Sequence, residues 1–143
     1  DYLDFMINIL KPYIDNNFRT LTSKEHTTIF GSSVGGLISF YALLKFPDVF
    51  GSAGVFSPSF WFSEEIFKLM DEVETIEGKI YFMAGDHESK GMIPDLERME
   101  KLVLQKVKNE NQVYKKIVHN GRHNEKSWRK QFKEAYMWLE KQN

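Results

Sequence analysis

Gly31-Ser32-Ser33-Val34-Gly35-Gly36 follows the run Thr27-Thr28-Ile29-Phe30 and opens an almost wholly apolar segment, Leu37 to Phe46. A strand therefore turns abruptly into a helix here, and the spacing Gly31-x-Ser33-x-Gly35 is that of a nucleophile elbow with Ser33 at its tip. The spacing has a steric reason. A turn this tight strains the backbone of its central residue, and residues without a Cβ on either side let strand and helix pass close together. A bare G-x-S-x-G arises by chance in 143 residues with a probability on the order of 5% at ordinary glycine and serine frequencies. On the pentapeptide alone, a small-residue turn that packs a helix onto a sheet explains the pattern equally well. The rest of the chain decides between the two.

Upstream, Leu3, Met6, Ile7 and Leu10 fall at helical spacing, and Pro12 is expected to stop that helix by disfavouring helical geometry at Lys11. Asp15-Asn16-Asn17 then reads as a loop, and Glu25 to Phe30 as the first strand. Downstream, the helix from Val34 to Lys45 is apolar nearly all round, the mark of burial between layers, and Pro47 ends it. Gly51 to Phe56 is a short strand closed by Ser57-Pro58, followed by a helix from Glu64 to about Val73. Lys79 to Ala84 is a continuous apolar strand of the kind buried on both faces of a parallel sheet. A helix begins at Ile93, with Pro94 tolerated in its first turn and Leu96, Met99, Val103 and Val107 on one face. Gln112 to Val118 is the last strand, and a final helix from Glu125 to about Gln142 buries Trp128, Phe132, Ala135 and Leu139.

Four strands separated by connections of helical length imply parallel crossovers, hence an α/β sheet with helices on both faces. Functional groups in such sheets lie beyond the carboxyl ends of the strands. Ser33, the acidic loop after Gly85, and His123 each follow a strand end.

Composition narrows the function classes. The chain has 19 basic and 20 acidic residues, a net charge of −1, 42% hydrophobic content and no Cys. Near-neutral charge gives no reason to expect nucleic acid or an anionic membrane as partner, and no apolar run is long enough to span a bilayer. Absence of Cys excludes disulfides, zinc-thiolate sites and thiol catalysis. It leaves the compartment undecided, with the cytoplasm as the expectation. The start at Asp1-Tyr2-Leu3, already inside an amphipathic helix and without Met, suggests that residues 1–143 form one segment of a larger domain. Removal of earlier strands would bare the edge at Thr27 to Phe30, so the segment is expected to be accompanied by its missing half or by another copy.

A serine hydroxyl needs a base to take its proton, and the base needs a third group to orient it. The order Ser33, then Asp86 or Glu88, then His123 is the order strand ends in this architecture bring together. Among four histidines, His26 lies at the wrong end of its strand and reads as surface, while His87 shares the acidic loop. His119 ends the last strand, and His123 occupies the Gly-containing loop after it, making it the candidate base. For the acid, Glu88 is far enough past Gly85 to curl over the strand end; Asp86 is closer and suited to bracing the loop, and Asp95 is a further possibility. No metal or cofactor site is expected. Trp61, between Phe60 and Phe62, is a candidate to line a substrate pocket.

Together, Gly31-Ser32-Ser33-Val34-Gly35-Gly36-Leu37, Phe46-Pro47-Asp48-Val49-Phe50-Gly51, Phe56-Ser57-Pro58-Ser59-Phe60-Trp61, Gly85 with Glu88, and Gly121-Arg122-His123-Asn124-Glu125 with Trp128 resemble the putative esterase family of α/β-hydrolases. That family includes siderophore esterases of the enterobactin type, feruloyl esterases and esterase D. The resemblance implies the C-terminal part of an α/β-hydrolase fold, with Ser33 as nucleophile, His123 as base and Glu88 as acid. It implies the Val34 N–H as one oxyanion donor, the second lying on a loop earlier in the sheet than this stretch. It also covers relatives that work with a Ser–His pair and a weak or absent acid.

The expected function is hydrolysis of a small-molecule carboxylic ester, without cofactor. The alternatives are a non-catalytic ligand-binding or interaction scaffold and an acyltransferase using the same residues. The distance from His123 to Ser33 separates the scaffold from the other two.

Overall fold

The structure, a computed structural model, describes residues 2–141. Asp1 and Gln142, the outermost residues of the expected first and last helices, lie outside the described residues. Helices α1 (Tyr2–Phe5) and α2 (Lys11–Asn17), joined by a π-helical turn over Met6–Leu10, precede strand β1 (Thr28–Ser32). Helix α3 (Val34–Lys45) leads to β2 (Ser52–Phe56), α4 (Glu65–Glu72) to β3 (Lys79–Gly85), α5 (Met92–Leu104) to β4 (Val113–Val118), and α6 (Glu125–Glu140) follows. Among the described residues the strands form one parallel sheet in the order β1-β2-β3-β4. Ser32, Phe56 and Met83 sit side by side at its carboxyl end.

Alternation along the strands divides the core. Ile29, Ala53, Val55, Ile80, Phe82 and Ala84 face α3, α4 and α5, where they meet Phe40, Leu43, Phe67, Leu96 and Met99. Phe56, Tyr81 and Met83 face the other way, onto Ala135 and Leu139 of α6 with Trp128 and Trp138 beside them. Helices thus cover both faces, as the apolar strand runs require. Phe40, Phe60 and Phe82 meet at centroid distances of 5.5 to 6.5 Å, so Phe60 belongs to the core. Each such ring contributes roughly 1.5–3 kcal/mol by burial. Lys79 closes α6 at its C-terminus, its Nζ donating to the carbonyls of Trp138 (2.9 Å) and Lys141 (2.7 Å).

Four expectations are corrected. The first helix does not stop before Pro12. The Lys11 N–H reaches back five residues to the Met6 carbonyl, and this wider turn places Pro12 within the first turn of α2, where its missing N–H costs no helical bond. Asp15-Asn16-Asn17 is accordingly the last turn of a helix. Val107 is not in α5, which ends at Leu104; it follows the turn after that helix, forms a parallel bridge to Ile76 and packs on the core. Phe132 of α6 is 47% exposed and meets Phe30 edge-on at 4.9 Å beside β1, the outermost strand among the described residues, while Trp138 takes the inner position. Among the described residues no helix is long and apolar enough to cross a membrane.

Candidate active site

Ser33 holds φ 59° and ψ −122°, a conformation that costs a residue with a Cβ about 1–3 kcal/mol and persists only where its surroundings enforce it. The enforcement comes from β2 and the loop after it. The Ser33 N–H donates to the Phe56 carbonyl (2.9 Å), and the Ser59 N–H donates to the Ser33 carbonyl (3.1 Å). The two arms of the turn are in contact: a Cβ on Gly31 would lie 2.3 Å from the Gly35 carbonyl oxygen, and one on Gly36 would lie 2.8 Å from that of Phe56. The expected role of Gly35 is corrected here. A Cβ there would meet nothing within 4 Å, so Gly31 and Gly36 permit the close passage and Gly35 contributes only its backbone.

The other groups arrive from the remaining strand ends. On the loop after β4, Asn124 caps α6 by accepting the Ser127 N–H (2.9 Å), and Ser127 Oγ accepts the Arg122 N–H (3.1 Å). His123 is strapped between these contacts, and its ring meets the Trp128 ring edge-on at 5.0 Å. His123 Nε2 lies 2.9 Å from Ser33 Oγ, and Nδ1 lies 2.7 Å from Glu88 Oε2. A carboxylate only accepts, so the ring proton sits on Nδ1 and Nε2 is left to accept from the serine hydroxyl. The histidine ring remains 39% exposed, while the Glu88 side chain is 1% exposed.

A carboxylate so enclosed needs donors on its other oxygen. Glu88 Oε1 accepts the Gly85 N–H (2.6 Å) and the Ser57 hydroxyl (2.7 Å). Asp86 does something else: it accepts from His87 Nδ1 (2.6 Å), His119 Nδ1 (2.9 Å) and the Asn120 N–H (2.7 Å), tying the loop after β3 to the end of β4. The His87 hydrogen bond is the chief reason its carboxyl is held below the usual carboxylate range. Asp95 stands in the first turn of α5, and His26 ends a single 3₁₀ turn ahead of β1, at the far end of the sheet from His123. Among the described residues no group of three or more His, Asp or Glu is arranged to hold a metal ion.

The placement of Glu88 depends on two glycines. A Cβ on Gly85 would lie 2.2 Å from the Gly121 carbonyl oxygen, and a Cβ on Gly121 would lie 2.7 Å from the Gly85 Cα. The end of β3 and the His123 loop are therefore pressed backbone to backbone. Gly85→Ala is expected to destabilise the fold by about 3 kcal/mol, because neither backbone can yield as a side chain would. Urea unfolding would register this as a lowered midpoint with little change in slope.

Beside His123, an open groove of about 460 Å³ is lined by Trp61, Ser89, Gly91 and Met92. Trp61 is 66% exposed and Phe62 is similarly open, whereas Phe60 is fully buried. A groove of about 500 Å³ at the opposite end of the sheet, lined by residues that include Lys24, Glu77 and Lys79, contains no paired nucleophile and base. Ser33 also has Ser59 Oγ at 3.3 Å. Sequence reasoning missed the roles of Ser57, Ser59 and Trp128 in these contacts. Ser57 directly follows the second strand, and a polar residue at the one strand end left unassigned was the available signal.

Known proteins resemble this chain in sequence and in fold. The family described as putative esterase matches residues 1–139. The Bacillus subtilis protein YbbA is 26% identical over 146 residues, covering 96% of this chain and 58% of its own. The enterobactin esterase of Shigella flexneri superposes with a TM-score of 0.81 at 20% identity, over 96% of this chain and 37% of its own. The fluorophosphonate-binding serine hydrolase F of Staphylococcus aureus does so with 0.79 at 19%, over 99% and 64%. A ferulic acid esterase gives 0.76 at 15%, over 98% and 60%. The structural likenesses establish the α/β-hydrolase type of fold, and the chain spans a little over half the length of the curated relative.

Proposed function

The chain belongs to the putative esterase family, and from that premise we propose that the protein hydrolyses carboxylic esters through an acyl-enzyme on Ser33. The observation that carries the reading is the unbroken run of hydrogen bonds from Ser33 Oγ through His123 to the enclosed Glu88 carboxylate. In the first step His123 Nε2 takes the hydroxyl proton as Ser33 Oγ attacks the ester carbonyl carbon, whose oxygen takes up the electron pair of the C=O bond. The Val34 N–H, the first of α3 and so without a partner inside the helix, helps to hold that oxyanion. Collapse of the adduct expels the alcohol, which receives the proton from His123. Water then repeats the sequence on the acyl-enzyme, its proton passing to His123 and on to Ser33 as the acid departs. Glu88 keeps the Nδ1 proton in place and balances the imidazolium charge during both steps.

The exposed ring of Trp61, in the groove beside His123, suits a planar aromatic group on the acyl or alcohol side of the ester. Relatives bearing the names enterobactin esterase and ferulic acid esterase support that choice of substrate class. Two measurements on the full-length protein test the reading. A fluorophosphonate probe is expected to modify the peptide containing Ser33, and benzoyl or cinnamoyl esters are expected to be cleaved faster than short aliphatic ones. Modification at another serine, or no turnover of any ester, would overturn it.

A further inference from the structure

We infer that Ser57 and Trp128 are positioning residues that orient the Glu88 carboxylate, a deepening that rests on the Ser33–His123–Glu88 reading. Ser57 is fully buried directly past β2, held at φ 43° with its N–H donating to the Met83 carbonyl (2.6 Å). Its hydroxyl has two neighbours: Trp128 Nε1 at 2.9 Å and Glu88 Oε1 at 2.7 Å. The indole N–H can only donate. Ser57 Oγ must therefore accept from Trp128, and its single proton is directed at Glu88.

The consequence is a one-way chain: Trp128 N–H to Ser57, Ser57 O–H to Glu88 Oε1, with Glu88 Oε2 on the His123 Nδ1 proton. Each donated bond polarises the next. With the Gly85 N–H, Ser57 fixes the rotation of the carboxylate so that Oε2 faces the ring. Trp128 acts at both ends, because the ring whose N–H starts the chain also stands edge-on against His123. The four strand ends then each supply a part: Ser33 from β1, Ser57 from β2, Glu88 from β3 and His123 from β4.

The test uses Ser57→Ala and Trp128→Phe in the full-length protein, with Ser33→Ala alongside. Ser57→Ala is expected to lower kcat by about tenfold with KM near the wild-type value. It should also move the proton NMR resonance of His123 Nδ1–H downfield, because a carboxylate deprived of one donor accepts more strongly from the ring. Trp128→Phe keeps an aromatic ring against His123 and removes only the N–H, so both readings should move the same way by less. The double variant should match Ser57→Ala, since Trp128 works through Ser57. Wild-type kcat with an unmoved resonance in Ser57→Ala would overturn the inference, as would full addition of the two losses in the double variant. If Ser57→Ala does not fold, Trp128→Phe decides by the same two readings. Turnover surviving in Ser33→Ala would instead overturn the parent reading, whereas an inactive Ser33→Ala beside a silent Ser57→Ala removes only the positioning chain.

Discussion

Ser33→Ala in the full-length protein is expected to lower kcat for ester hydrolysis by about 10⁶-fold, with KM little changed and fluorophosphonate labelling lost. On the proposed route the size follows from the place of the hydroxyl: Ser33 Oγ is the one paired with His123 Nε2, so losing it removes the covalent route and leaves only the oxyanion donor and binding. KM should hold because the Trp61 groove lies beside His123 and owes nothing to Ser33 Oγ. The fold should hold as well. Ser33 sits at φ 59°, but alanine and serine both carry a Cβ, so the strain of the elbow is the same in the variant. Ser33 is tied down by its backbone N–H and carbonyl, neither of which the substitution touches. Equal labelling of variant and wild type, with a stable fold, would place the nucleophile elsewhere.

The sheet was legible because its signals are local and repeated. Four apolar runs at spacings that leave room for helices admit few arrangements other than a parallel sheet covered on both faces. The elbow was legible for the same reason, since a strand, a small-residue turn and an apolar helix lie within twenty residues of one another. Where the reading failed, the deciding contact was distant or a neighbouring turn had changed the rule. Pro12 breaks a regular helix, but a π-helical turn over Met6–Leu10 moves it into a first turn. Val107 continues the apolar spacing of α5, yet the helix has already ended at Leu104 and a bridge to Ile76, 31 residues earlier, holds it. Phe132 keeps the period of α6 but lies beside β1, the outermost strand among the described residues, where it meets Phe30 and stays half exposed.

The choice between Asp86 and Glu88 was open in the sequence for a stereochemical reason. Both follow Gly85 on one short loop, and only the path of that loop decides which carboxylate turns inward. The Gly85–Gly121 contact fixes the path. With the Asp86 N–H on the Val118 carbonyl (3.1 Å) and the His87 N–H on the Gly121 carbonyl (3.0 Å), the Asp86 side chain faces His119 and Asn120, and Glu88 reaches His123. Ser57 escaped because its partners, Glu88 and Trp128, lie 31 and 71 residues away.

Glu88→Gln is expected to lower kcat/KM by about 10⁴-fold while the protein stays folded. The substitution changes one atom, and the neighbours dictate how the amide must lie. Gly85 N–H and the Ser57 hydroxyl both donate to the position of Oε1, so the amide oxygen takes that place and its NH₂ faces His123 Nδ1. An NH₂ group cannot accept the ring proton. The imidazole must then carry its proton on Nε2, where it faces Ser33 Oγ with a donor in place of an acceptor, and the hydroxyl proton has nowhere to go. The imidazolium of the attack step also loses its counter-charge. Side-chain volume and both buried donors are retained, so the unfolding midpoint should stay near the wild-type value, whereas Glu88→Ala would leave those donors unpaired and weaken the fold. Activity within tenfold of wild type in a folded Glu88→Gln variant would mean that His123 works without this acid, and that the enclosed carboxylate serves the loop alone.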